Sequence, residues 1–413
     1  MNANYTFRIR TIILFFLLFA IVYQSGAVPA ALGMNTIGFK ITRLCILGLP
    51  FLFINNLKVL KKSCFLIYFI LIGVMVNVLI YQESTIHLAY KVILFLLFFY
   101  VCCYAEAERL YIENCLYYVL LCILFITLCF YFAIEIFHIN IPFEYVVSEG
   151  GYYYRNYMYS YYAFHGLGTR VIPRFSGLFW EPGMNAVYFN ILLYLYCFGE
   201  KVKKHVWHLP VILLALVLTQ SAAGYCIMLL IMYKYFMDKK YFRGNFKLAI
   251  IIIFGILMFL GILFVVLQKR STDADNLQTY SYGLRLNDLI NGLKIFARHP
   301  FFGTGYGNNS EFVAMDPFGR GGSNGLVTWM YMMGGYGTVF VLFPFIANCF
   351  VCKEKRGEEF LWVLAIILFN IFEPIYSLPI MQFFVASEYQ KFFFYREEKK
   401  KKGGNKEWFL LKI

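Results

Sequence analysis

The feature that most constrains this chain is the recurrence of apolar runs of membrane-spanning length along its whole sequence. A transmembrane helix needs about 20 mainly apolar residues, and a spanning backbone must satisfy its own hydrogen bonds. Because only 15% of the residues are charged, a soluble fold would expose far too much apolar surface. The sequence therefore predicts an all-α polytopic membrane protein with about twelve transmembrane helices. The runs are 11–24, 38–54, 64–81, 86–105, 115–137, 184–199, 209–218, 222–236, 247–268, 327–350, 360–376 and 378–394.

Basic residues between these runs predict the orientation. The formal net charge is +14, and lysine and arginine gather in connections that all fall on one side of the predicted bundle. Such residues mark the cytoplasmic side of a membrane protein, so this charge sets topology and does not indicate nucleic-acid binding. Both termini are expected in the cytoplasm. The basic segments are the first ten residues, 57–62, 201–204, 239–247, 353–356 and the tail 395–413.

Two long connections fall on the opposite, outer side, at 138–183 and 269–325. Long loops in a compact protein are usually functional or disordered, and neither loop has the composition of a disordered segment. No polar stretch is long enough to bury its own core, so residues 1–413 are expected to form a single integral membrane domain. In the second loop, apolar residues recur at helical spacing from Leu286 to Ala297, which predicts an amphipathic helix on the outer membrane face.

Cysteine and acidic residues limit the chemistry. Most of the eleven cysteines lie within apolar runs and neither long loop contains one, so a disulfide framework outside the membrane is not expected. Asp273, Asp275, Asp288 and Asp316 are scattered and do not resemble a metal site. We expect a metal-independent activity without a cofactor.

The stretch "RFSGLFWEPGMNAVYFN" begins at Arg174 and enters an apolar run. Charged residues at membrane depth are costly and tend to be functional. Pro182 suits the first turn of a helix, and Glu181 would then lie at the positive end of that helix. Two interpretations of Glu181 stay open here: a helix cap ion-paired with Arg174, or a catalytic carboxylate.

The remainder of the two loops is rich in aromatic, basic and glycine residues. Seven tyrosines lie between Tyr152 and Gly166, and they fit either an interfacial belt or a wall for stacking against sugars. His165 is a candidate base. Arginine binds phosphate oxygens through paired donors, although loop arginines among lipid headgroups would look the same. The predicted substrate contacts are Arg155, Arg170, Arg298, His299, Gly303, Gly305, Tyr306 and Asn324.

Four segments, in this order, carry a resemblance to a known family. They are "RFSGLFWEPGMNAVYFNILLYL", "LTQSAAGYCIMLLI", "RLNDLINGLKIFARHPFFGTGYGN" and "SNGLVTWMYMMGGYG". The chain resembles the Wzy-type O-antigen polymerases of the wider O-antigen ligase/polymerase superfamily. The resemblance implies a GT-C-like glycosyltransferase of the bacterial inner membrane. Carried over by position, it implies roles for Arg174, Glu181, Arg285, Gly303 and Gly305.

The implied reaction joins undecaprenyl-pyrophosphate-linked oligosaccharide units on the periplasmic face into O-antigen, capsule or exopolysaccharide. Arg174 and Arg285, with Arg298, would neutralise the pyrophosphate, and Glu181 or His165 would accept a proton. A chain-length regulator and other assembly proteins are expected partners. The ligase branch usually has His-Asn where this chain has Ser323-Asn324. A ligase for lipid A core, a flippase or exporter of lipid-linked glycans, and a scaffold are the alternatives.

Overall fold

The computed structural model describes residues 3–31, 37–53, 85–147, 153–164, 173–238, 281–315 and 324–401, with a few single positions between 70 and 81. The fold is mostly helical. Among the described residues, three helices are long and apolar enough to cross a membrane: Leu88–Ala107, Ile112–Ile136 and Gly325–Val351. These helices agree with the predicted class of helical membrane protein. The count of twelve spans stays a prediction, and the predicted span 247–268 lies outside the described residues.

The described residues of the N-terminal part include five helices that contribute to one apolar core. A 3-10 turn, Leu49–Phe53, follows α3, and a π-helical turn, Phe132–Ile136, extends α5. Leucine and aromatic side chains recur around the whole circumference of α4 and α5, which suits burial on all sides. The helices are α1 (Ala3–Gln24), α2 (Val28–Ala31), α3 (Ile37–Gly48), α4 (Thr85–Ala107) and α5 (Ile112–Tyr131).

The tyrosine-rich part of the first loop folds as an antiparallel sheet in the order β1 (Glu144–Val147), β2 (Tyr153–Tyr157) and β3 (Tyr161–Phe164). This sheet corrects the prediction of an all-α fold. The physical reason is that aromatic and β-branched residues fit a pleated, half-buried surface. Tyr154, Tyr157, Tyr161 and Tyr162 are buried in the apolar core. These four side chains therefore lie neither in an exposed belt at the membrane surface nor on an exposed wall that could stack against sugars.

Three helices follow the first loop, and two of them meet at the polar "TQS" of Thr219–Ser221. The chain forms α6 (Pro182–Phe198), α7 (His208–Thr219) and α8 (Ala222–Asp238). Gln220 has left-handed backbone angles, with φ 49° and ψ 40°, so α7 and α8 are separate helices with a sharp turn between them. This turn exposes the last carbonyls of α7 to other partners.

The C-terminal part contains α9 (Ser281–Arg298), α10 (Ser310–Met315), α11 (Gly325–Val351), α12 (Arg356–Phe372) and α13 (Pro379–Lys401). Helix α9 occurs where the apolar spacing predicts a helix. Ile295 on α9 is buried with Phe312, Val327, Tyr331 and Met332 in a small second core formed by α9, α10 and the first part of α11. Thus part of the apolar stripe of α9 packs on protein, and the second loop builds its own core.

Helix α11 is interrupted at Gly334, which has φ 63° and ψ −168°. A Cβ atom at this position would lie 2.4 Å from the carbonyl oxygen of Phe301 and 2.5 Å from the backbone nitrogen of Gly303. Gly303 also has a positive φ, 71°, and its Cβ would lie 2.4 Å from the carbonyl carbon of Met332. The loop after α9 therefore packs backbone-to-backbone into the interruption of α11, which only glycines permit.

Two of the segments predicted to be cytoplasmic, the first ten residues and 353–356, carry ion pairs near helix ends. Lys355, between α11 and α12, lies with Nζ 2.6 Å from Oε1 of Glu200, which follows α6. Arg10 of α1 pairs with Glu108, which follows α4, at 3.0 Å. Both pairs lie outside the predicted spans, where charged side chains are expected.

Candidate active site at the predicted outer end

Arg174 forms hydrogen bonds with the turn between α7 and α8. Its Nε donates a hydrogen bond to the carbonyl of Thr219 at 3.2 Å, and Nη2 donates to the carbonyl of Gln220 at 3.3 Å. These carbonyls lie at the negative end of α7, where a cation is favourable. The half-buried Arg174 side chain thus holds the segment that begins "RFSGLFWEPG" against the turn between α7 and α8.

Glu181 occupies the N-cap position of α6, with φ −150° and ψ 158°, and Pro182 begins the helix as the sequence predicts. The carbonyl of Glu181 accepts a hydrogen bond from the nitrogen of Asn185 at 3.2 Å, but its side chain makes no capping hydrogen bond. Helix capping therefore explains the backbone of Glu181 and leaves its carboxylate without a capping role. The carboxylate is half-buried at the positive end of α6.

A second Glu-Pro pair meets this helix start. Glu373 ends α12 and is 5% exposed. A Cβ atom on Gly183 would lie 2.0 Å from Oε1 of Glu373, and one on Gly325 would lie 2.9 Å from the Glu373 carbonyl oxygen. Glu373 therefore lies at the junction of the α6 and α11 N-termini. Since both helix starts carry partial positive charge, the junction stabilises a buried carboxylate.

The glycine loop after α9 uses its backbone within the protein. Gly303 donates to the carbonyl of His299 at 3.1 Å, and Gly305 donates to that of Met332 at 3.1 Å. Between them, Thr304 donates to the carbonyl of Tyr331 at 2.8 Å. These N–H groups hold the loop on α11, so the two glycines serve close backbone packing in this structure.

The basic residues at the end of α9 share one carboxylate. Arg298 Nη1 lies 2.6 Å from Oε1 of Glu311, and His299 Nε2 lies 3.1 Å from Oε2 of the same side chain. The Arg298 and His299 side chains are 58% and 44% exposed, so the cluster is open to solvent. Because both carboxylate oxygens are engaged, Glu311 fixes the positions of both basic groups.

Asn324 has a structural position at the start of α11. Its side-chain oxygen accepts a hydrogen bond from the nitrogen of Val327 at 3.2 Å, which is an N-cap interaction. The residue is 4% exposed. Its predicted substrate contact therefore competes with a capping bond that is already formed.

A cavity of about 110 Å³ lies beneath the second loop, between α4, α11 and α13. Sites of this size accept small apolar groups, since an engineered cavity of about 150 Å³ binds benzene. Most of its wall is apolar and comes from residues further along the helices. These are Leu88, Val92, Phe95, Met333, Phe340, Val341, Met381 and Val385.

Hydrogen-bond donors occupy the loop end of this cavity. The Lys91 ammonium of α4 donates to the carbonyl of Ser377, and the rings of Tyr306, Trp329 and Tyr376 form a chain of contacts at 6.5 and 5.6 Å. Burial raises the pKa of Tyr306 to about 12, so this phenol stays a neutral donor at neutral pH. Nε1 of Trp329 is buried and has no hydrogen-bond partner among the described residues. An apolar cavity with donors at one end fits an amphiphile that carries acceptor oxygens.

Of the remaining predicted site residues, one has a described side chain and three do not. The guanidinium carbon of Arg155 lies 5.1 Å from the ring centroid of Phe143, a cation–π contact within the small sheet. His165 and Arg170 lie outside the described residues, and Arg285 is described only as a backbone position on α9. No three His, Cys, Asp or Glu side chains within the described ranges come together as a metal site.

Sequence reasoning did not select Lys91, Trp329, Glu373 or Glu311. Two signals could have found some of them. Lys91 is a charge within an apolar run, and Glu373-Pro374 repeats the dipeptide of Glu181-Pro182. The pairing of Glu311 with Arg298 depends on the fold of the loop and has no local pattern.

These features define a helical membrane protein whose loops and helix ends build a polar site above an apolar cavity. Residues 209–333 match a family model described as O-antigen ligase, less than a third of the chain. The match confirms the resemblance to the O-antigen ligase/polymerase superfamily, whose members are glycosyltransferase-like enzymes. It runs from α7 through the glycine loop to the first part of α11. No curated protein has significant similarity to the chain.

Proposed function

We propose that this protein polymerises undecaprenyl-pyrophosphate-linked oligosaccharide units at the periplasmic face of the bacterial inner membrane. The observation that carries the proposal is the cavity beneath the second loop, with its donors at one end and its apolar wall below. A polyprenyl chain suits the wall, and phosphate oxygens suit the donors Lys91 and Trp329. The Tyr306 hydroxyl adds a neutral donor.

Single displacement then follows from the chemistry of the donor. The acceptor hydroxyl attacks the anomeric carbon, and the bond to the pyrophosphate breaks as that group leaves with the electron pair. Positive charge near the leaving oxygens stabilises the transition state. Lys91 supplies such charge at the cavity. Arg285 remains a proposed second source of positive charge. The hydrogen bonds of Arg174 to the carbonyls of Thr219 and Gln220 instead favour a structural role, in which Arg174 holds the first loop on the turn after α7.

The deciding experiment is reconstitution of the purified full-length chain in nanodiscs with a lipid-linked repeat unit. A ladder of lipid-linked oligomers is the expected product. Lys91→Met should reduce ladder formation at least tenfold at a low concentration of substrate. Lys234→Met is the control, because Lys234 pairs with Asp238 at the C-terminal end of α8, away from the turn that Arg174 contacts. Absence of any ladder with wild-type protein would contradict the proposal.

A ligase is the second candidate, because the matching family model carries that description. It predicts transfer of a preformed glycan to a lipid A core acceptor in the same nanodiscs, without a ladder. A flippase would move the lipid-linked glycan across the bilayer with no new glycosidic bond. The three activities therefore give different products from one preparation.

A further inference from the structure

The structure holds a histidine–carboxylate pair on the second loop that the proposed reaction has not used. Glu311 accepts from His299 Nε2 at 3.1 Å through one oxygen and from Arg298 at 2.6 Å through the other. An ionised carboxylate can only accept hydrogen bonds, so Nε2 is the nitrogen that carries a proton. In the neutral ring, Nδ1 then keeps its lone pair and is available as a base.

The backbone that follows His299 is bonded to the wall of the cavity of the proposed site. His299 is followed by Pro300 and Phe301, whose carbonyls accept from Gly335 at 2.7 Å and from Tyr336 at 3.0 Å. Tyr336 lines the cavity. Two backbone bonds therefore fix the segment that carries His299 to the cavity wall. The His299 side chain is 44% exposed, so a hydroxyl of a bound glycan can reach it.

The shared carboxylate gives the histidine a fixed orientation. Arg298 holds one oxygen of Glu311, and the Glu311 side chain is only 29% exposed. A base works when its lone pair is held toward the proton that it removes, and a carboxylate behind a histidine stabilises the imidazolium that forms. Glu181, by contrast, makes no capping hydrogen bond with its side chain.

We infer that His299 is the general base of the transfer and that Glu311 is its positioning residue, an assignment that rests on the proposed function. His299 Nδ1 takes the proton of the acceptor hydroxyl while that oxygen forms its bond to the anomeric carbon of the donor. The bond from that carbon to the pyrophosphate oxygen breaks, and its electron pair leaves with the lipid pyrophosphate. The imidazolium then returns its proton to water.

The test is the pH dependence of polymerisation by the full-length chain in nanodiscs. Wild-type protein should lose rate on the acidic side as the imidazole becomes protonated. His299→Gln keeps an N–H that can reach Glu311 but cannot accept a proton at neutral pH. We expect it to lower kcat about 100-fold or more, to leave KM for the lipid-linked unit within about twofold, and to remove the acidic limb.

Two further variants separate chemistry from folding. Glu311→Gln should lower kcat by less than His299→Gln and keep the acidic limb, because it disturbs orientation and leaves the base present. Lys294→Ala, at another exposed cation of α9, should keep wild-type kinetics. Thermal unfolding in detergent checks that His299→Gln is folded.

The outcomes are distinguishable. A wild-type protein that forms no glycosidic bond overturns the proposed function and this assignment with it. An active wild-type protein with an unchanged His299→Gln rate and acidic limb overturns the assignment alone. Equal losses of rate and thermal stability in His299→Gln, with an unchanged acidic limb, also overturn it, because they assign the pair to loop stability.

Discussion

The two predicted periplasmic loops contribute differently to the molecule. The first loop sends four of its tyrosines into the main core and one of its arginines, Arg174, onto the carbonyls at the end of α7. The second loop forms a small core of its own on α11 and leaves exposed polar groups beside a cavity. Arginine-rich and aromatic-rich sequences of similar kind thus build architecture in the first loop, whereas in the second loop they border the proposed site.

The largest effect should come from a change that disrupts the backbone packing of the second loop on α11. Gly334→Val places a side chain at φ 63°, with its Cβ 2.4 Å from a backbone oxygen. A left-handed residue costs about 1–2 kcal/mol by itself, and the backbone overlap adds to that cost. We expect loss of activity, a lower unfolding temperature and faster proteolysis within the second loop.

Gly307→Val is the matched control for this variant. Gly307 has φ 86°, yet a Cβ there meets no atom within 4 Å. It should show the backbone strain alone and keep most of the activity. Equal stability of the two valine variants would contradict the close packing of the loop on α11.

The next effect tests the architectural role of the first loop. Arg174→Ala removes a cation that binds the carbonyls of Thr219 and Gln220, and hydrogen bonds to charged groups contribute about 1.5–3 kcal/mol. We expect lower thermal stability and loss of long polysaccharide chains in cells. Arg174→Lys should recover only part of both, because an ammonium lacks the two-nitrogen fork. Wild-type stability together with lost activity would instead favour direct pyrophosphate contact by Arg174.

Lys91→Met, at the cavity, should weaken substrate binding without lowering thermal stability, unlike Arg174→Ala. An ammonium in an apolar wall is costly, so its removal should leave the unfolding temperature unchanged or raise it. The KM for the lipid-linked unit should rise about tenfold, the loss of roughly 1.4 kcal/mol of binding free energy. Enzyme kinetics and thermal unfolding of the same preparation check both parts. A drop in stability with unchanged KM would remove Lys91 from the site.

The smallest effect is expected at Trp329. Trp329→Phe keeps an aromatic ring in the wall and removes the buried Nε1 donor. One hydrogen bond contributes about 1 kcal/mol net, so KM should rise about fivefold. An unchanged KM would show that the ligand does not reach this donor.

Much of the fold follows from local pattern, and much of the site does not. Pro182 at the first turn of α6 and the helix Ser281–Arg298 occur where capping and apolar spacing predict them. The small sheet was missed because apolar length was the main signal used. The partners of Arg174 lie 45 and 46 residues away along the chain. Those of Arg298 and Lys91 likewise depend on how distant segments pack, which no single segment encodes.

The interruption at Gly334 has a consequence for the lipid around the protein. The uninterrupted part of α11, Gly335–Val351, spans only about 25 Å at 1.5 Å per residue. The whole helix is long enough to cross a membrane, but this straight part is shorter than the roughly 30 Å hydrocarbon layer of a bilayer. We expect the membrane to thin beside it, as it does beside a short span. Spin labels at the exposed Val339 should therefore report a shallower depth than at matched positions of α5. The headgroup of a lipid carrier would then lie lower beside this helix, closer to the cavity and to its lysine.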